Sequence, residues 1–108
     1  MRKIERLMNA AISAGKDFKL DNTAVVNADG ISVVLLHGNK IAEIGDSFIR
    51  LFDGGWQSNT TKSRLNAILS VHGEPGDGIF QKQWKWFVNM NTVQGVTTIP
   101  FFDSMRLG

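Results

Sequence analysis

Between Asn22 and Phe52 short runs rich in apolar and β-branched residues are punctuated by glycine-bearing dipeptides. Asp29-Gly30 separates Asn22–Ala28 from Ile31–His37. An Asp-Gly pair between two such runs marks a type I′ hairpin, whose central residues both take positive φ. Gly38-Asn39 and Gly45-Asp46 divide the following runs in a way that suits type II′ turns. The pattern predicts a four-stranded meander, about 22–28, 31–37, 40–44 and 47–52, with sequence neighbours paired antiparallel. Ile31, Val33 and Leu35 share one face of the second strand and Ser32, Val34 and Leu36 the other. That strand therefore reads as central and covered on both sides.

Two segments switch to helical spacing. In residues 2–14, Ile4, Leu7, Met8, Ala11 and Ile12 form a stripe opposite Arg2, Lys3, Glu5, Arg6 and Asn9, and Gly15 ends the run. Residues 16–21 follow as a polar connection, with Phe18 and Leu20 expected against the core. The second helix starts near Asn59, Thr60 and Thr61, whose side-chain oxygens can accept from free backbone N–H groups. Leu65, Ile68 and Leu69 then share a stripe, and Gly73 stops it. Its first turn carries Lys62 and Arg64 and no acid. Exposed cations there oppose the helix dipole at about 0.3–1 kcal/mol each. The same free N–H groups and basic side chains describe an anion site, unless the charges are merely solvated or pair with Asp53.

Glu74-Pro75-Gly76-Asp77-Gly78 reads as a loop. In strand phase Phe80, Lys82, Trp84, Trp86, Val88 and Met90 then share a face; in helix phase Phe80, Trp84, Phe87 and Val88 form a stripe. The aromatic content and the lack of a cap favour a strand over 79–90. Residues 91–96 read as loop, and Thr97–Phe102 as a short strand that Pro100 confines to an edge or a bulge. Asp103–Gly108 reads as a loose tail. The sum is an α+β domain: N-terminal helix, four-stranded antiparallel meander, second helix packed on the sheet, one or two C-terminal strands. Its predicted core joins Ile4, Leu7, Val33, Leu35, Leu65, Ile68 and Leu69.

Composition narrows the class. A chain of 108 residues supports a single domain with one core. The absence of Cys excludes a disulfide framework and a thiolate metal site. His37 and His72 are too few for a metal centre without carboxylates. No apolar run approaches the roughly 20 residues of a membrane span, and the N-terminus lacks the apolar core of a signal peptide. A cytoplasmic protein with no membrane, metal or cofactor is expected. Neither a nucleophile elbow nor a Gly-Lys-Ser/Thr phosphate loop is present. Catalytic chemistry has no visible constellation, so a non-enzyme is expected.

Binding chemistry is what remains. The formal charge is only +2, but it is segregated. The N-terminal segment and the C-terminal half are basic, and the meander between them carries Asp21, Asp29, Glu43, Asp46 and Asp53. Lys82, Trp84, Lys85 and Trp86 interleave cations with rings, as single-stranded nucleic acid requires: charge for phosphate, aromatic faces for bases. The same mixture suits a protein–protein hot spot or a half-buried strand whose lysines reach solvent. Together with Lys62 and Arg64 these residues make the predicted binding surface. The alternative surface is acidic, through Asp29, Glu43, Asp46 and Asp53, directed at a host enzyme or defence protein. A homo-oligomer is left open. Trp56, beside Gly54-Gly55, reads as a plug over the sheet end and His37 as structural.

Leu36-His37-Gly38-Asn39-Lys40-Ile41-Ala42, Gly55-Trp56, Thr60-Thr61-Lys62-Ser63-Arg64-Leu65-Asn66-Ala67-Ile68-Leu69 and Phe80-Gln81-Lys82 resemble short accessory proteins of tailed bacteriophages, including phages of enterobacteria and cyanobacteria. The resemblance covers most of residues 2–88, and its most specific element is the Thr-Thr-Lys-Ser-Arg-Leu-Asn-Ala run after Gly-Trp. It carries no assigned activity and no functional residues. It implies a small protein made in the host cytoplasm during infection, with host takeover, evasion of host defence or phage genome handling as its setting. The expectation is a non-catalytic accessory protein that binds nucleic acid or a nucleic-acid-processing complex.

Overall fold

Where one of these strand-forming runs meets a turn residue, the chain reverses. The computed structural model, which describes residues 1–108, orders the chain as α1 (Lys3–Ala14), β1 (Phe18–Leu20), β2 (Thr23–Ala28), β3 (Ile31–Leu36), β4 (Asn39–Ile44), β5 (Ile49–Leu51), α2 (Asn59–His72), β6 (Gly78–Lys82), β7 (Lys85–Thr92), β8 (Gly95–Pro100) and β9 (Met105–Leu107). All pairing is antiparallel, in a six-stranded sheet of order β1-β2-β3-β4-β5-β9 and a three-stranded sheet of order β6-β7-β8. The class is α+β, but the larger sheet extends past the four-stranded meander at both ends, through β1 and β9, and a second sheet is present.

The first hairpin turn is as the sequence predicts: Asp29 and Gly30 have φ of 54° and 78°, the left-handed pair of a type I′ turn. The next turn is displaced by one residue. His37 and Gly38 take φ of 52° and 79°, so they form the turn and Asn39 pairs with Leu36. The register slips between Val34 and Leu35, leaving Ile41 as the extra residue of a bulge. The bulge turns both Ile41 and Ala42 into the core, which strict alternation forbids. Gly45-Asp46 makes no two-residue turn. The Gly45 N–H instead donates to the Phe48 carbonyl at 2.9 Å across a four-residue loop, and the Phe48 ring lies where a Cβ on Gly45 would stand.

One contiguous core lies between the inner face of the larger sheet, the two helices and the inner face of the smaller sheet. Val25, Val34, Ala42, Leu51 and Met105 run across the larger sheet as directly paired residues, each at most 1 % exposed. Leu65, Ile68 and Leu69 of α2 meet that sheet's core as the helical stripe predicts. Four expectations change. The opposite face of β3, with Ile31, Val33 and Leu35, is only half-buried, because no helix covers it. In α1 the buried residues are Glu5, Met8, Asn9, Ala11 and Ile12, while Leu7 is exposed and Ile4 half-buried. Residues 18–20 are an edge strand with Leu20 turned outward. Residues 103–108 are no loose tail: β9 pairs with β5 and buries Met105 and Leu107.

The segment 79–90 is neither one strand nor a helix. It folds at Gln83-Trp84 into the hairpin of β6 and β7. β7 runs on through Thr92 and turns into β8, so residues 91–96 are largely strand. Pro100 ends the edge strand β8 opposite Phe87, where the missing N–H breaks no further ladder.

Met105→Ala and Leu65→Ala are expected to destabilise the fold comparably, by about 2–5 kcal/mol each. Urea denaturation of the two variants measures this, and a silent Met105 variant would return residues 103–108 to the status of a tail.

Candidate nucleic-acid interface

The predicted surface of Lys62, Arg64, Lys82, Trp84, Lys85 and Trp86 divides into three parts. Arg64 immediately precedes Leu65 on the buried side of α2, so its long side chain must cross the core. It does so by meeting the acid that α1 buries. Arg64 Nη1 donates to Glu5 Oε2 at 2.9 Å, with the two side chains 4 % and 3 % exposed. Arg64 Nε donates to Thr23 Oγ1 at 3.0 Å and Ser63 Oγ to Glu5 Oε2 at 2.6 Å. The Arg2 N–H closes the first turn of α1 on Glu5 Oε1 at 3.2 Å. Burial pushes the Glu5 carboxyl up, but the hydrogen bonds from Ser63, Arg64 and Arg2 outweigh it and hold the group below its ordinary value. Arg64 is thus a structural cation and no part of a binding surface. Period and charge pattern did not reveal this, since Glu5 reads as solvent-facing in the helical stripe.

Trp86 is also structural. It is 4 % exposed and stands edge-on to Phe101, with ring centroids 5.3 Å apart. On the opposite face of the hairpin Phe80 stacks on Phe87 at 5.6 Å. These pairs stiffen the stem that carries the remaining residues. Lys82 and Lys85 are direct cross-strand partners, both exposed and neither in an ion pair. Between them Gln83 and Trp84 take φ of 52° and 67°. Trp84 is 91 % exposed. A bulky residue in the left-handed region costs of order 1–3 kcal/mol, and this one recovers nothing by burial. Asn or Gly would serve the turn better.

Lys62 lies half-exposed in the first turn of α2. That helix is capped by Ser58, whose Oγ accepts from the Thr61 N–H at 3.0 Å, rather than by Asn59, Thr60 or Thr61. Trp56 is no plug: it is 75 % exposed and borders a cleft of about 330 Å³ with Leu36, Asp53 and Thr60. Asp53 is occupied with its own loop, accepting from the Gly55 N–H at 2.7 Å.

The acidic surface disperses. Glu43 is paired with Lys40 at 3.1 Å and Arg50 at 3.8 Å. Lys40 also lies over the Phe52 ring, and Arg106 over Phe48, so the cations on the outer sheet face are engaged with neighbours of their own. Only Asp29 and Asp46 come together, on a cavity of about 510 Å³ that His72 also lines. Burial lowers the His72 pKa below its ordinary 6.5, and its Nε2 has no hydrogen-bond partner.

A family model described as the Kyanoviridae Gp96 protein matches residues 1–108. The chain belongs to this family. The Gp96 family is one of tailed cyanophages, in keeping with the phage resemblance of the sequence. No curated protein and no solved structure matches the chain. No helix of this family member is long and apolar enough to cross a membrane.

Arg64→Ala is expected to cost about 3–5 kcal/mol, because it strands a buried carboxylate. Replacing the pair together, Glu5→Leu with Arg64→Met, is expected to recover most of that loss, and denaturant titration of both variants decides it. Acid sensitivity should arrive in two steps, since both shifted groups have folded values below their unfolded ones. The His72 contribution is complete above about pH 6.5 and is lost as pH falls below it. The Glu5 contribution is complete above about pH 4.5 and is lost as pH falls through its lowered folded value. Melting temperature against pH should lose the first step, and keep the second, in His72→Gln.

Proposed function

We propose that this phage protein is a non-catalytic accessory protein that binds single-stranded nucleic acid through the tip of the β6–β7 hairpin. One observation carries the reading. Trp84 is held almost wholly in solvent, in a backbone conformation that disfavours it, between two unpaired lysines in cross-strand register. A ring so placed offers a stacking face to a base, and the flanking ammonium groups sit where the adjoining phosphates would pass. Stiff aromatic pairs in the stem keep the tip from collapsing onto the core. Lys62 and Trp56 are not needed for this contact. Phage genome handling is the setting this reading implies; the phage origin of the family is compatible with it. Action on a host protein through Asp29 and Asp46 is the second reading, favoured by the cavity those two acids share with His72.

Titration with a fluorescent single-stranded oligonucleotide at two salt concentrations tests the first reading. Trp84→Gly is expected to weaken binding by roughly 5–150-fold, the equivalent of about 1–3 kcal/mol of stacking. The same change should leave the melting temperature unchanged or raised, because glycine accepts the turn conformation without strain. Lys82→Ala with Lys85→Ala should flatten the salt dependence by roughly 0.7 per lost phosphate contact. Unchanged affinity in the folded Trp84→Gly variant would remove the tip from the function, and a wild-type chain that binds no oligonucleotide would pass the question to the Asp29–Asp46 cavity.

A further inference from the structure

A strand edge carries unpaired N–H and C=O groups, and native chains protect it with charge, brevity or a cover. Three of the four edges here are protected. β1 and β9 are three residues long and carry Lys19 and Arg106. β6 carries Lys82, and the outward groups of its Ile79 are capped by one side chain: the Asn66 amide donates to the Ile79 carbonyl at 2.9 Å and accepts from the Ile79 N–H at 2.7 Å. Asn66 thus stands in for a neighbouring strand. The fourth edge, β8, has none of these devices. It is six residues long, its residues from Gly95 to Thr98 are exposed, and nothing pairs with its outer side. No residue from Trp86 to Phe102 is charged, in a chain whose charged content is 20 %.

The ladder shows which groups are free. The Phe101 N–H donates to the Trp86 carbonyl at 3.0 Å. In an antiparallel pair the bonded positions alternate, so Ile99, Thr97 and Gly95 bond to β7 through their registered partners Val88, Met90 and Thr92. Val96 and Thr98 therefore turn both their N–H and their C=O outward, and Pro100 turns out a carbonyl alone. Two free positions that flank Thr97 symmetrically are complementary to themselves. Val96 N–H can reach the Thr98 carbonyl of a second copy while Thr98 N–H of that copy reaches the Val96 carbonyl. A two-fold axis at Thr97 repeats the exchange. The residues meeting across the seam are Thr97 with Thr97 and Val96 with Thr98, matched in size and uncharged.

We infer that β8 is the contact edge of a homodimer, in which two three-stranded sheets join as one through antiparallel β8–β8 pairing about Thr97. The occupant is a second copy because the free groups match their own two-fold image. An edge without charge also sets no electrostatic register for a foreign strand, and Pro100 stops the ladder where a longer guest strand would continue. The pairing is isologous, so it closes at two copies. The axis directs the two β6–β7 tips to opposite ends of the joined sheet, although the dimer does not depend on what those tips bind.

Sedimentation velocity of the full chain from micromolar to millimolar concentration is the test, joined by amide hydrogen exchange at both ends of the range. The wild-type chain should pass from the 12.0-kDa monomer to a dimer, with the Val96 and Thr98 amides gaining protection as it does. Thr98→Pro deletes an outward donor and spares the backbone bonds to β7, losing only the Thr98 hydroxyl's bond to Asn89 Oδ1; Val96→Lys places charge at the seam. Each should weaken association at least tenfold while the circular dichroism spectrum stays native. Should the proline variant misfold, the lysine variant decides alone. A wild-type chain that stays monomeric throughout overturns the inference, and so does a dimer that persists undiminished in a folded variant.

Discussion

The buried contact between Glu5 and Arg64 is the constraint on which the arrangement of the helices depends. An apolar stripe tells a helix roughly which side to bury, and several rotations satisfy it almost equally. A buried ion pair does not tolerate such freedom, because each charge left without its partner costs several kcal/mol. Arg64 reaches α1 through Glu5 and β2 through Thr23, so one guanidinium sets α2 against both. Asn9, on the same side of α1 as Glu5, donates to the Ala67 carbonyl of α2 at 3.0 Å. The rotation of α1 that results sacrifices Leu7 to solvent and brings an acid and an amide into the core. The Glu5–Arg64 pairing, rather than maximal apolar burial, selects the packing, and it does so although the Asn9 Oδ1 is buried without a partner.

A second polar device attaches the smaller sheet. The Asn66 amide binds both backbone groups of Ile79, so α2 serves as the neighbour of β6. Ile79, Trp86 and Val88 then enter the same core as the larger sheet. With β6 fixed against the helix and β9 closing the larger sheet, what projects from the molecule is decided: the Lys82–Lys85 turn and the bare edge of β8. These are also the places where local preference is violated. Trp84 occupies a conformation that suits glycine, and β8 lacks the charges that usually guard an edge. Folding alone rewards neither feature, which is why both belong to the account of what the protein contacts.

Elements whose signals are local are legible in the order of residues. The helices, the Asp29-Gly30 turn, the antiparallel sense of neighbouring strands and the buried Leu65, Ile68 and Leu69 stripe all follow from periodicity and turn chemistry acting over a few residues. Alternation alone gives Trp84 and Trp86 the same environment, and the fold divides them between solvent and core. The remaining features depend on contacts remote in the chain. Arg64 looked like a cation opposing a helix dipole because its partner lies 59 residues away. Trp84 and Trp86 looked equivalent because alternation puts them on one face; the turn between Lys82 and Lys85 puts one in solvent and the other against Phe101. Residues 105–107 carry no local strand signal beyond two apolar positions, and they become β9 only because β5 offers an unpaired edge. Where the energy of an element lies in its own backbone and spacing, the order of residues is enough. Where it lies in a partner supplied from elsewhere, only the folded chain decides.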